Sequence, residues 1–202
     1  MKKFLTSAAI VAALASVASA APYVMPSPQP GALTPYDIQP MWGLDAVYTI
    51  SGDSDDIDQY GARLSFNLYT SGEDSVRHQF SLNVTPQYAH DTVIPGLKME
   101  RFVIPVTAGY DLNLELTDDV LFYVGGKAGY SFAHVELKAD GDKASGHDDG
   151  FTYSVGAGLK FQPSDAIMLK AGYEFGRSYY GHGDDGYIYT GHTILVGASV
   201  QF

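Results

Sequence analysis

From Trp42 to the end of the 202-residue chain, apolar side chains recur at every second position, and nothing else in the sequence constrains the fold as strongly. Side chains of a strand point to alternate faces, whereas those of a helix return to one face after about 3.6 residues, so this patterning predicts an all-β protein. Trp42, Leu44, Ala46, Tyr48 and Ile50 alternate with Gly43, Asp45, Val47 and Thr49 in a first strand. Seven more follow over 60–68, 79–88, 101–112, 120–132, 151–161, 167–176 and 193–202. The last is the phrase TILVGASVQF, which closes on Phe202. Termini fray unless a sheet ties them down, so a chain that finishes inside an alternating strand predicts that this strand is paired.

Each strand is long enough to cross a bilayer at a tilt of ~45°, which takes ~9–11 residues. The connections fall into two classes. Longer, mouth-facing loops are expected over 51–59, 89–98, 135–149 and 178–188, and shorter turns over 69–77, 113–119 and 162–165. Pro105 breaks the pattern in mid-strand, since it cannot donate to a ladder; a bulge or a local unpairing must absorb it.

Alternation does not say which face is inside. A soluble eight-stranded barrel of the lipocalin kind buries its apolar set around a ligand, whereas a membrane barrel turns it to lipid. The polar set decides. It is mostly Gly, Ser, Thr and Asn, with scattered charges at Asp45, Arg63, Arg101, Asp111, Lys127, Lys160, Lys170 and Glu174. Small residues with a few opposite charges suit a narrow polar interior, and Val, Ala, Leu and Phe with Tyr near strand ends suit lipid and its aromatic girdles. Backbone groups in a bilayer must all be paired, which requires the sheet to close. The expected fold is an eight-stranded antiparallel up-and-down transmembrane β-barrel over 41–202.

The N-terminal segment fixes the compartment. Lys2 and Lys3 precede an apolar run, and Ala18-Ser19-Ala20 is a small-x-small cleavage pattern, so residues 1–20 read as a secretory signal peptide. Residues 21–40 hold six of the ten prolines and are expected to form an extended periplasmic leader. The chain has no cysteine, which excludes a disulfide-stapled secreted domain. Removing the two signal lysines leaves 10 basic and 23 acidic residues, a formal charge of −13, which disfavours nucleic-acid binding.

The alternating strands, the phrases LTDDVLFYVGGKAGYSF and AIMLKAGYEFG, the signal peptide and the terminal Phe202 resemble the small outer-membrane β-barrel family. That family includes the transmembrane domain of outer-membrane protein A, its eight-stranded relatives and the opacity-type surface proteins. The resemblance covers 41–202 and implies a Gram-negative outer membrane, with lipid and lipopolysaccharide around the barrel. It also implies that a C-terminal aromatic, here Phe202, is read by the barrel-insertion machinery. The sequence ends with the barrel, so no peptidoglycan-binding tether is carried over.

The resemblance further implies a lumenal ion network, here Asp45, Arg63, Lys127, Lys170 and Glu174, that plugs the barrel. Charges in a narrow interior are costly unless opposite signs meet. Three oxygen-rich loops are weaker candidates for a divalent cation: Asp53, Asp55 and Asp58 in one, Asp148 and Asp184 in the two others, with His147 and His182 beside them. They lack the full spacing of a calcium loop and read first as solvated charge, so neither a metal nor a cofactor is expected. His134, Thr190 and His192 at the outer rim are the residues a lipid A-modifying enzyme would use, but they form no His-x-Ser motif, and the protein is read as non-enzymatic. The function expected is structural or adhesin-like, with Tyr179, Tyr180, Tyr187 and Tyr189 displayed to an extracellular ligand or host surface. A narrow pore for small solutes, a lipid A-modifying enzyme and a soluble periplasmic carrier stay open as alternatives.

Overall fold

The computed structural model describes residues 37–52, 57–71, 76–94, 97–139, 142–164, 166–181 and 186–201. Residues 1–36, which carry the expected signal peptide and most of the expected leader, and Phe202 lie outside these residues. The strands are β1 (Asp37–Ser51), β2 (Gln59–Ser71), β3 (Val76–Val84), β4 (Gln87–Ile94), β5 (Leu97–Thr117), β6 (Val120–Ala139), β7 (Asp142–Ser164), β8 (Ile167–Tyr180) and β9 (Tyr187–Gln201). All pairings are antiparallel, and β1 pairs with both β2 and β9, which closes the sheet into a ring. β1 therefore begins earlier than the expected boundary at 41, with Pro40 opposite Leu68.

Nine segments make eight barrel strands because β3 and β4 are one strand with a lapse at Thr85 and Pro86. Leu64 opposes Val84 and Gly61 opposes Gln87, so the register against β2 is unchanged across the lapse; the same holds against β5, where Val84 opposes Val106 and Gln87 opposes Val103. The prolines cause it. The Thr85 amide donates to the Pro105 carbonyl at 2.9 Å, but the reciprocal bond needs an amide hydrogen that Pro105 lacks. On the other side the Ala62 amide donates to the Pro86 carbonyl at 3.2 Å, and Pro86 cannot return it. Local unpairing, not a bulge, absorbs Pro105.

The register also fixes the stagger of the barrel. Directly opposed residues lead from Leu44 to Leu64, Val84, Val106, Tyr130, Phe151, Tyr179 and Ile188. Gly191 opposes Ser51, so Ile188, three residues before Gly191, falls level with a point three residues past Ser51, ten residues along β1 from Leu44. With about 4.8 Å between strands and about 3.3 Å per residue, a shift of that size over eight strands tilts them by about 40° and sets a backbone radius of about 8 Å. An interior that narrow is filled by side chains.

The apolar set points outward. Leu64, Leu82, Val155 and Ile194 are 50, 63, 56 and 49% exposed, while Asp45, Arg63, Asn67, Asn83, Asp111 and Glu174 on the opposite face are buried. Aromatic rings bracket the apolar band. Trp42 packs against Phe66 and Phe80 against Tyr110 near the end where β1 begins and β9 finishes; Tyr48, Tyr60, Tyr88, Phe102, Tyr130, Phe132, Phe151 and Tyr179 lie toward the mouth.

Two expected loops are mostly strand. β4 and β5 pair out to Ile94 and Leu97, and β6 and β7 pair out to Ala139 and Asp142, so 89–98 and 135–149 are hairpins that carry the sheet beyond the outer aromatic belt. The polar composition of 135–149 reads as a loop because both of its faces meet water, which erases the alternation that marks a strand.

Candidate functional site in the barrel lumen

Inward positions of the strands stack side chains in layers along the barrel. At the end where β1 begins and β9 finishes, Met41, Tyr69, Leu121 and Met168 form a buried apolar cluster. Beside it Lys160, fully buried, donates to Gln79 and to Asn113 Oδ1 (2.5 Å), lies 3.3 Å from Asp111 Oδ2, and sits 4.5 Å from the centroid of the Tyr123 ring. Glycine creates the space for that ring: a Cβ on Gly172 would stand 1.9 Å from the Tyr123 hydroxyl, and one on Gly158 2.7 Å from its edge.

The middle layer holds three of the five residues expected in the network. Arg63 donates from Nη1 and Nη2 to the two carboxylate oxygens of Glu174 at 2.7 and 2.8 Å, and Lys127 donates to Glu174 Oε1 at 2.5 Å. This paired-fork geometry is the strong form of a carboxylate–guanidinium contact. Asp45 and Lys170 form a separate pair, 2.8 Å apart, where Gly197 leaves room for the carboxylate. The five residues are thus brought to the lumen as two groups.

Above the middle layer is a chamber of about 80 Å³, lined by Thr49, Thr85, Gln87, Thr152, Ser178 and Thr193 among others, with Arg63, Lys127 and Glu174 along its lining. Its hydroxyls are tied to one another, Thr49 to Thr193 and Thr152 to Ser178, both at 2.8 Å. Toward the mouth Arg101 is enclosed by Tyr180, Tyr187 and Tyr189, 5.2, 5.6 and 4.8 Å from the ring centroids, and donates to the Tyr187 hydroxyl at 3.0 Å. Arg101 meets no carboxylate among the described residues; aromatic faces stabilise the cation instead. Sequence reasoning placed Arg101, Asp111 and Lys160 inside but assigned them no role. Their alternation was visible, but the stagger that sets their level was not.

The other candidates are dispersed. Asp58 closes its own loop, accepting from the Tyr48 hydroxyl (2.7 Å) and the Ser51 amide (3.0 Å). Asp148 accepts from the amides of Asp149 and Gly181. Asp53, Asp55, Asp184 and His182 lie outside the described residues. Among those described, no group of three or more His, Asp and Glu converges as a metal site. His192 on β9 shares a hydrogen bond with the Tyr173 hydroxyl at 2.5 Å, and His134 lies on β6, so the two rim histidines do not form one site; among the described residues neither ring meets a carboxylate. Of the four displayed tyrosines, Tyr180 and Tyr189 instead point into the lumen as part of the Arg101 cage.

A family model described as the outer membrane protein beta-barrel domain matches residues 7–202. No curated protein matches the chain in sequence. Among solved structures, Neisserial surface protein A is similar at 14% identity with a TM-score of 0.53, covering 82% of this chain and 97% of that one. Ail, the attachment invasion locus protein of Yersinia pestis, is similar at 20% identity with a TM-score of 0.50, covering 82% and 97%. Identities this low establish a shared fold alone.

Proposed function

The chain belongs to the outer membrane protein beta-barrel family and resides in the outer membrane, and from that premise we propose that its lumen is closed and that its work is done by the outer face, as a non-enzymatic surface-interaction protein. The observation that supports a closed lumen is the paired charge in mid-barrel: Arg63 and Lys127 both spend their charge on Glu174, inside a wall about 8 Å in radius. Planar-bilayer recordings of the wild type are expected to stay at baseline; a large, steady conductance overturns the closed lumen and favours a pore.

With the interior occupied, the outward hairpins carry the interaction. The segments 51–59, 89–98, 135–149 and 178–188 hold twelve carboxylates and three lysines, a net −9. A surface of that sign is complementary to a basic protein or peptide partner and repels polyanions. The test replaces 136–145 by a two-residue turn and measures binding of intact cells to a surface coated with a cationic peptide, at low and at physiological salt. Binding equal to that of wild type counts against an adhesive role for the hairpin.

The same proposal includes export by residues 1–20 and recognition of Phe202 by the insertion machinery. Exported protein whose mass starts at Ala21, and a fall in assembled barrel on deleting Phe202, are the expected results.

A further inference from the structure

At the outer edge of the aromatic belt, the outward faces of β6 and β7 carry one histidine each at directly opposed positions. His134 and His147 are cross-strand partners, with Nδ1 atoms 3.3 Å apart and ring centroids 4.5 Å apart. Thirteen residues separate them in sequence, and only the hairpin register unites them.

We propose that His134 and His147 chelate a borderline divalent transition-metal ion of the Zn²⁺, Cu²⁺ or Ni²⁺ class at the outer rim. Imidazole nitrogen binds such a metal at about 2.0–2.1 Å, and two nitrogens 3.3 Å apart subtend about 110° at that distance, close to the tetrahedral angle. Nitrogen ligands select this class of ion over Mg²⁺ and Ca²⁺, which take oxygen. Neither ring has a competitor: among the described residues, the one hydrogen bond each makes is to the other. In the metal-free pair one Nδ1 carries the proton and the other accepts it. Binding moves that proton to Nε2 of the same ring through solvent, which leaves both Nδ1 lone pairs facing the ion.

The neighbouring carboxylates supply negative potential without ligating. Glu136 is held by Lys138 and Lys143, Glu100 by Lys138, and Asp149 by the Tyr130 hydroxyl. The remaining coordination positions are therefore filled by water, so the site is open to the medium. It does not depend on whether the lumen conducts.

The mature protein, refolded in detergent micelles and free of any histidine tag, is titrated with ZnCl₂ by calorimetry and with Cu²⁺ by electron paramagnetic resonance. One ion per chain is expected, with nitrogen hyperfine coupling from two imidazoles. His134→Ala and His147→Ala should each weaken binding by about tenfold or more, since one ring cannot chelate. His78→Ala, near the opposite end of the barrel, should leave it unchanged. All variants are checked for the heat-dependent gel shift of a folded barrel; His→Gln replacements serve if either alanine variant fails it. No heat up to millimolar metal, or equal binding by wild type and the double variant, overturns the proposal.

Discussion

At the scale of the residue, Glu174 organises the interior. Its carboxylate neutralises two cations, all three side chains nearly fully buried, and removing one member of a buried ion group leaves the rest uncompensated. Glu174→Gln keeps the shape and loses the charge; it should destabilise the barrel by about 3–5 kcal/mol, read by urea unfolding in micelles. A loss under about 1 kcal/mol would mean that water reaches Arg63 and Lys127. That Arg63, Lys127 and Glu174 face inward was legible from alternation with Gly, Ser and Thr. That they share one level while Asp45 pairs with Lys170 was not, because level depends on the stagger accumulated around the whole ring, a property no single strand contains.

At the scale of the element, the prolines and the outer hairpin separate what propensity dictates from what tertiary pairing allows. Pro105→Ala restores a donor aimed at Thr85. The new bond contributes about 0.5–1.5 kcal/mol and the lost unfolded-state restriction costs about 0.4–1, so net stability should move by less than about 1 kcal/mol. The new amide at 105 should nevertheless be protected in hydrogen exchange; rapid exchange there would show that the lapse has another cause. In the hairpin, hydrogen bonds from Lys143 and Lys138 hold the Glu136 carboxyl below its ordinary range, and Glu100 holds Lys138 above its own. A lowered acid contributes stability above its unfolded value and loses it as pH falls through the folded one; a raised base does the reverse at the alkaline end. Hairpin order, followed by proteolysis between Ala139 and Asp142, should therefore be level from about pH 5 to 10 and fall beyond both limits. A midpoint inside that window would count against the carboxylate–lysine pairs as the source of hairpin order. The sequence hid this hairpin because strands wetted on both faces need no alternation.

At the scale of the whole molecule, the membrane fixes which substitutions the wall tolerates. Val155 neighbours Ser154, whose hydroxyl reaches Glu174, so Val155 is the outward counterpart of the mid-lumen layer. Val155→Arg should cost about 2–4 kcal/mol in lipid, whereas Arg177→Leu, at the level of the outer tyrosines, should change stability by about 1 kcal/mol or less. Equal effects at the two sites would remove the case for a bilayer between the aromatic belts.

Arg63, Lys127 and Glu174 come from β2, β6 and β8, none of which is hydrogen-bonded to another of the three. A contact among strands that are not neighbours in the ring is expected to form late, once the ring closes. The cluster is then a latch that engages after the rate-limiting step of assembly: weakening it should leave the folding rate nearly untouched and hasten escape from the finished barrel.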